Sequence, residues 1–277
     1  MKTYLLPLFL FLATFVSMTF FTYMPLADGF LYASTLMGIL VAHELGHYLM
    51  CRRYHVPASL PLFLPAPKTL FGTLGAIIRM DPNVPDRRVL FDIAVAGPLA
   101  GAVLAIPALL FGLTVSTVVQ VPEKASTFGD SLLIAGLVHL VFGALPPGYD
   151  VLLHPVAFAG WVGLFVTSLN LMPISQLDGG HVLYALAPRR AATLYRLALL
   201  SLVILCFAVN PGFLLLALLL VLFRLQHPPT RNDLLGLDRT RLVVAALVGV
   251  LFVLTFIPNP VQLGASPLQD LLDLLAP

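Results

Sequence analysis

The chain has 277 residues, of which 59% are hydrophobic and only 10% are charged, and its formal net charge is +2. Ordinary soluble domains carry about 25% charged residues, so this composition indicates that lipid surrounds most of the chain. The basic residues are scattered along the sequence, so the net charge does not indicate a nucleic-acid surface. The expected partner is the lipid bilayer, and no nucleic acid is expected.

Apolar windows along the chain predict about seven membrane segments, since a helix needs about 20 mostly apolar residues to cross the hydrocarbon. These segments are 4–24, 30–50, 89–113, 151–187, 192–209, 212–225 and 242–257. The fourth is too long for one straight helix, and the sixth is short. The predicted fold class is therefore an all-α, polytopic transmembrane helix bundle.

The apolar stretch 128–144 is rather short for a crossing and is bracketed by Asp130 and by Pro146-Pro147. We predict a re-entrant or interfacial helix here, because a true crossing would reverse the side of every later loop. With that assignment and a cytosolic N-terminus, every Lys and Arg except Lys124 falls on the inner side. The positive-inside rule then predicts a multi-pass protein of the cell membrane with its N-terminus in the cytosol.

The longest inner loop, 51–88, is rich in proline, which argues against a long helix. Its proline-free part, 71–80, is apolar throughout and β-branched in its second half. This pattern predicts a short strand or hairpin that re-enters the membrane interface. An apolar loop that covers the helix bundle fits the same residues equally well.

The sequence AHELGH, residues 42–47, lies within the second predicted segment. Residues four apart share one face of a helix, with Cβ atoms about 5–6 Å apart, so His43 and His47 can bind one metal ion. Glu44 can turn its carboxylate towards a water whose pKa zinc lowers to about 7, which makes that water a nucleophile. A charge at the centre of a membrane helix costs about 2.5–3.5 kcal/mol, which favours a functional site over chance.

A catalytic zinc ion usually has three protein ligands, so a third residue is expected at similar depth in another segment. Asp178, in the sequence NLMPISQLDGGH of residues 170–181, meets this condition. At about 1.5 Å per residue, His43 lies about 10 Å from the inner end of its segment, and Asp178 about 15 Å from the inner end of its own. Pro173 and the Gly179-Gly180 pair predict a break in the overlong fourth segment, which would present polar backbone to an internal cavity.

Four features in this order resemble the site-2 protease family of intramembrane metalloproteases, and the likeness extends through most of the chain. They are HELGH at 43–47, AGPLAG at 96–101, NLMPISQLDGGH at 170–181 and HPP at 227–229. No insertion large enough for a PDZ domain interrupts them, which is similar to the PDZ-less bacterial type. The resemblance implies a zinc metalloendopeptidase that cuts membrane proteins within or near their transmembrane segments, in regulated intramembrane proteolysis.

The resemblance also implies roles for individual residues. His43, His47 and Asp178 would hold one zinc ion. Glu44 would be the catalytic base and proton shuttle, and Asn170 would steady the substrate or the oxyanion. An unwound substrate would bind along the loop strand, at Gly72, Leu74, Gly75, Ala76 and Ile77.

The expected organisation is one membrane-embedded protease domain over 1–277. It comprises an additional N-terminal helix in 1–27, a catalytic core in 28–188 with its site towards the cytosolic side, and C-terminal helices in 189–277. His181 is expected to support the metal ligands or simply to pack, and it is the next candidate ligand after Asp178. Gly97 and Gly101 have the spacing that lets membrane helices approach closely.

Two other functions fit parts of the pattern. One is a membrane metallopeptidase of the prenyl-protein type, which shares only HExxH and typically takes its third ligand from a distant glutamate. The other is a non-catalytic membrane protein that handles metal ions with the same polar residues. Replacement of Glu44 distinguishes the latter, because metal handling would survive and proteolysis would stop.

Overall fold

The computed structural model describes residues 2–22, 24–122, 126–174, 176–209, 213, 217, 218, 220 and 227–262. Helices form most of this described part. In chain order they are α1 (Lys2–Phe20), α2 (Leu26–Arg53), α3 (Arg87–Thr114), α4 (Leu132–Phe142), α5 (Pro155–Asn170), α6 (Asp178–Leu186), α7 (Ala191–Ala208) and α8 (Arg239–Thr255).

Short antiparallel strand pairs lie between the helices. The described residues form three two-stranded sheets. The pairs are β1 (Leu62–Pro65) with β2 (Thr73–Ile77), β3 (Thr117–Gln120) with β5 (Tyr149–Leu152), and β4 (Thr127–Phe128) with β6 (Val261–Gln262). An all-α class is therefore only roughly right, because small sheets occupy several of the connections.

Within the described residues, three helices, α2, α3 and α7, are long and apolar enough to cross a bilayer. Shorter apolar helices cover Tyr4–Phe20, Leu132–Phe142 and Pro155–Asn170. The prediction of about seven crossings thus holds only in the coarser form of a mostly helical membrane protein. The predicted sixth segment, 212–225, falls almost entirely outside the described residues.

The overlong fourth segment is broken, as predicted, into α5 and α6, with residues 171–177 between them. The chain turns back closely at this break, since a Cβ atom on Gly179 would lie 1.9 Å from the carbonyl oxygen of Leu171. Only a residue without a Cβ atom permits that approach. Gly179 therefore lets the break bring Asp178 back beside the end of α5.

α2, α3 and α5 form the centre of the bundle, where Leu109 and Trp161 are among the fully buried side chains. Two glycines let these helices touch. A Cβ atom on Gly160 would lie 2.5 Å from the backbone nitrogen of Leu109, and one on Gly112 would lie 2.2 Å from that of Ala157. Close helix packing in a bilayer requires small residues at such contacts, and these two glycines let α3 and α5 pack tightly.

α4 has 11 residues, a length of about 16 Å at 1.5 Å per residue, whereas the hydrocarbon core is about 30 Å thick. Ser131 caps its first turn, because the Ser131 hydroxyl accepts a hydrogen bond from the N–H of Ile134 at 3.2 Å. This short length supports a re-entrant or interfacial position for 128–144, which stays a prediction.

The predicted hairpin in the loop after α2 is present as β1 and β2. Its turn is fixed deep in the bundle, because the hydroxyl of Ser17 donates to the carbonyl of Gly72 at 2.7 Å and that of Tyr32 donates to Phe71 at 3.0 Å. Gly72 has a φ of +72° and lies so close to α1 that a Cβ atom would be 2.8 Å from the Cα of Met18. Among the described residues, the second edge of β2 has no partner strand.

Candidate metal centre

α2 presents His43 and His47 on one face, as the spacing of four residues predicts. Their ring centroids lie 5.0 Å apart and their Nε2 atoms 3.2 Å apart. Asp178 is the first residue of α6, and its Oδ2 atom lies 3.3 Å from the Nε2 of each histidine. Three potential ligand atoms from two helices therefore converge on one point.

The spacing of these three atoms fits a tetrahedral zinc ion. They form a triangle with edges of 3.2, 3.3 and 3.3 Å. Zinc binds imidazole nitrogen at about 2.0–2.1 Å and carboxylate oxygen at about 2.0–2.2 Å, so two ligands of a tetrahedral site lie about 3.3–3.5 Å apart. The triangle matches this separation and leaves the fourth position of the tetrahedron to water or substrate.

The hydrogen bonds around the triangle also fit a cation. Nδ1 of His47 lies 2.8 Å from the carbonyl oxygen of Ile93. Because a carbonyl only accepts, this nitrogen carries a proton, and in the neutral ring Nε2 then keeps the lone pair that a metal needs. Oδ2 of Asp178 is buried and has no hydrogen-bond partner in the described part of the chain. A buried anionic oxygen without a donor is costly, and a metal ion at the centre of the triangle would compensate it.

Two glycines of α3 lie directly against the histidine rings. A Cβ atom on Gly97 would lie 2.1 Å from Nε2 of His47, and one on Gly101 would lie 3.2 Å from Nδ1 of His43. Their spacing serves close helix packing, as expected. The closer of the two contacts falls on a nitrogen of the triangle, so α3 forms one wall of the metal centre.

Glu44 and Asn170 line the cavity that contains the triangle, which has a volume of about 390 Å³. Glu44 is only 5% exposed. Asn170 ends α5, and its Nδ2 atom lies 3.2 Å from Nε2 of His43. Both side chains that the sequence singles out beside the ligands therefore stand next to the position that a metal would occupy.

The predicted substrate-binding residues are divided between two environments. Ala76 and Ile77 line the cavity, and Leu74 is 73% exposed on the neighbouring part of β2. Gly75 has a φ of +91° and open space beside its Cα. Gly72 does not fit the prediction, because it is packed against α1 and its carbonyl already accepts a hydrogen bond from Ser17.

Asp92, inside the predicted segment 89–113, is an acidic residue that the sequence reasoning misses. Its carboxylate accepts hydrogen bonds from the hydroxyl of Tyr54 at 2.5 Å and from the guanidinium of Arg241 at 2.5 and 2.9 Å. Arg241 also pairs with Asp238. Asp92 therefore ties α3 to α8 and to the end of α2, and its signal in the sequence is the complementary charge of Arg241 at the start of α8.

His181 and His227 form a second histidine pair next to the metal centre. Nδ1 of His227 lies 2.5 Å from the carbonyl oxygen of Pro228, and its Nε2 lies 2.6 Å from Nδ1 of His181. Because the carbonyl only accepts, Nδ1 of His227 carries a proton, and in the neutral pair Nδ1 of His181 donates to Nε2 of His227. The hydrogen bond to His227 therefore fixes the ring of His181, which lines the cavity, as a role in supporting the metal ligands would require.

The imidazole of His227 is also held by α6. It stacks on the ring of Tyr184 with centroids 4.2 Å apart, and the hydroxyl of Tyr184 donates to Asp233 at 2.6 Å. Thr230 donates to the same carboxylate at 2.6 Å. The HPP sequence therefore belongs to a segment that closes over the helix carrying Asp178.

Known proteins similar to this chain are named as zinc metalloproteases. Probable zinc metalloprotease EGY1, chloroplastic, from Arabidopsis thaliana is 34% identical over 246 residues, which are 85% of this chain and 43% of that protein. The protein of the same name from Oryza sativa subsp. japonica is 35% identical over 80% of this chain and 39% of its own length. Probable zinc metalloprotease EGY2, chloroplastic, from Arabidopsis thaliana is 33% identical over 85% of this chain and 43% of its own length.

The chain thus spans less than half the length of these curated relatives. No solved structure gives a significant match. Peptidase family M50 matches residues 31–209, a range that contains both histidines, the glutamate, the asparagine and the aspartate of the site. This match covers more than half of the chain, so the chain belongs to peptidase family M50, the site-2 protease family.

Proposed function

We propose that this protein is an intramembrane zinc metalloprotease that hydrolyses peptide bonds of membrane proteins within or near their transmembrane segments. The observation that carries the proposal is the triangle of His43, His47 and Asp178, whose edges suit a tetrahedral zinc ion. Membership of family M50 and relatives named as zinc metalloproteases support it. Regulated intramembrane proteolysis is the process in which such an activity would act.

The proposed roles follow from positions in the cavity. When bound, zinc supplies Lewis acidity, which polarises a peptide carbonyl and lowers the pKa of water. Glu44 takes a proton from the attacking water and returns it to the amine that leaves when the C–N bond breaks. Asn170, beside His43, offers an amide N–H to the developing oxyanion, a contact that is worth about 3–4 kcal/mol in other enzymes.

Substrate binding is proposed at β2. Leu74 to Ile77 lie on a strand whose second edge is unpaired within the described residues, and Ala76 and Ile77 border the cavity. A helical substrate hides its carbonyls in its own hydrogen bonds, so the bond to be cut must first unwind. Pairing with β2 would stabilise the unwound segment next to Glu44 through backbone hydrogen bonds.

The orientation is proposed from the charges at the helix ends. Arg52 and Arg53 end α2 just beyond His47, and Arg87 and Arg88 begin α3 on the same side. Basic residues mark the cytosolic side of membrane proteins, so the metal centre is assigned to that side of a cell membrane, with a cytosolic N-terminus. A reporter fused after Arg53 tests this assignment, and its detection on the outer side would overturn it.

The proposal is tested by cleavage of a single-pass membrane substrate in detergent, with bound zinc measured on each enzyme. Glu44→Gln is expected to abolish cutting and keep zinc, because Glu44 is a base and not one of the three triangle residues. Asp28→Asn, which removes a carboxylate from the opposite end of α2, is expected to behave as wild type. Cleavage by Glu44→Gln would exclude this mechanism, and zinc binding without cleavage by wild type would favour metal handling instead.

A further inference from the structure

A second cavity lies at the other end of the bundle from the metal centre. It has a volume of about 450 Å³, and we call it the distal cavity. Its walls come from α4, α5, the β3–β5 sheet, the hairpin turn at Leu70 and the α1–α2 connection at Met24. Because α2 begins at Leu26, about 25 Å of helix separates this end from His43.

The distal cavity has an aromatic floor and an acidic rim. Phe128, Phe158 and Trp161 contact one another with ring centroids 4.9, 5.1 and 6.1 Å apart. Asp130 and Asp150 are the charged side chains among the described residues that line it. Ligand sites have volumes of about 300–1,000 Å³ and combine an apolar lining with a few polar groups, and this cavity has that size and composition.

The two carboxylates have no cationic partner in the described part of the chain. Asp150 accepts a hydrogen bond from its neighbour, the N–H of Val151, at 2.7 Å, and none engages Asp130 there. Loss of water around the carboxyl and the negative charge of Asp150 raise the pKa of Asp130 to about 6. A positively charged group in the cavity would counter this, because an opposite charge stabilises a carboxylate.

The β1–β2 hairpin joins the two cavities. Leu70, at its turn, lines the distal cavity, whereas Ala76 and Ile77 line the cavity of the metal centre. Leu70 lies three residues before Thr73, the first residue of β2, so at about 3.3 Å per residue the two are at most about 10 Å apart along the chain. A substrate strand paired with the free edge of β2 and continuing past Thr73 would reach the distal cavity about three to four residues beyond its paired part.

We propose that the distal cavity binds the flanking segment of the substrate on the side of the membrane opposite the metal centre, and selects a Lys or Arg next to an apolar residue. The cation would lie between Asp130 and Asp150, and its apolar neighbour on Phe128 and Trp161. This inference rests on the proposed function. Basic residues are scarce on the outer flanks of membrane proteins, so such a contact separates a small set of substrates from the rest.

The test uses three single-pass substrates that differ in one outer flanking residue, Lys, Gln or Glu, followed by Leu. The readout is the ratio of kcat/KM for the Lys substrate to kcat/KM for the Glu substrate, measured with the same enzyme preparation. The fraction of enzyme that is folded affects both values equally and cancels from the ratio. Wild type is expected to prefer Lys by about three- to tenfold, the range of a partly exposed ion pair. The double variant Asp130→Asn/Asp150→Asn is expected to lose the preference, and Asp130→Lys/Asp150→Lys to reverse it.

Asp28→Asn is the matched control, since Asp28 lies at the same end of the bundle but does not line the distal cavity. It is expected to keep the wild-type ratio. A wild-type ratio of one, or a full preference for Lys in the double Asn variant, would overturn the inference and leave the cavity to a lipid or a second copy of the chain. Failure of wild type to cut any of the three substrates would instead overturn the proposed function.

Discussion

Oδ2 of Asp178 lies 3.3 Å from Nε2 of His43, although the two residues belong to helices far apart in the chain. The contact exists because residues 171–177 interrupt the fourth apolar segment and start α6 at Asp178. A continuous helix from α5 onwards would carry the carboxylate away from α2. The break in the helix is therefore what completes the proposed metal centre.

Gly97→Ala is expected to abolish zinc binding and cleavage. Its methyl group would lie 2.1 Å from Nε2 of His47, so the ring must move out of the triangle. Gly101→Ala is the matched control, because its methyl group would lie 3.2 Å from His43, a distance that a small shift of the ring accommodates. Zinc analysis and a cleavage assay on both variants test this, and normal zinc content in Gly97→Ala would contradict the geometry.

Asp92→Asn is expected to lower stability but keep zinc. The carboxylate receives charged hydrogen bonds from Arg241, and the loss of such a bond costs about 1.5–3 kcal/mol. Asp238→Asn should cost less, because the side chain of Asp238 is 38% exposed and that of Asp92 only 18%. Thermal unfolding in detergent, with zinc analysis, measures both effects. Zinc loss in Asp92→Asn at a temperature where it remains folded would show that Asp92 takes part in the metal centre.

His227→Phe is expected to keep zinc and reduce kcat by about five- to tenfold. Phenylalanine preserves the stack on Tyr184 but cannot accept the hydrogen bond from His181, and one net hydrogen bond is worth about 1 kcal/mol. Tyr184→Phe serves as the control, since it preserves the stack and loses only the bond to Asp233. Equal losses in the two variants would show that the whole segment matters and the histidine pair does not.

The preference of the wild-type enzyme for the Lys substrate over the Glu substrate is expected to fall as the pH drops through about 6. The pKa of Asp130 is raised to about 6, so this carboxylate is charged at pH 7.5 or above and becomes neutral below about pH 6, whereas a substrate Lys stays charged. Asp150 is the other titratable group among the described residues of the distal cavity. The Lys-to-Glu ratio between about pH 7.5 and 5 tests this, and a decline of equal size in Asp130→Asn would assign it to another group.

Much of the proposed metal centre follows from local spacing. His43 and His47 are four residues apart on a helix, and Pro173 with Gly179-Gly180 indicates the break that positions Asp178. The depth of a residue along a membrane helix can also be estimated from the sequence, because a helix has a fixed rise per residue. The ligand set could therefore be predicted from the sequence before any tertiary contact was known.

Other features depend on contacts that no local pattern encodes. The ion pair of Asp92 with Arg241 joins residues in different helices, and a membrane segment by itself does not reveal which charge meets which. Gly72 belongs to the predicted strand region, yet Ser17 and Met18 of α1 hold it in the hairpin turn. The distal cavity is formed by α4, α5 and short strands, whose arrangement depends on packing across the whole bundle.

The most direct test of the central claim is zinc content and X-ray absorption on purified wild type and Asp178→Ala. Wild type is expected to hold one zinc ion with two imidazole nitrogens and one carboxylate oxygen at about 2.0–2.2 Å. Asp178→Ala is expected to lose most of the zinc and all of the carboxylate contribution. Full zinc occupancy with an unchanged spectrum in that variant would contradict the account and make His181 the next candidate for the third ligand.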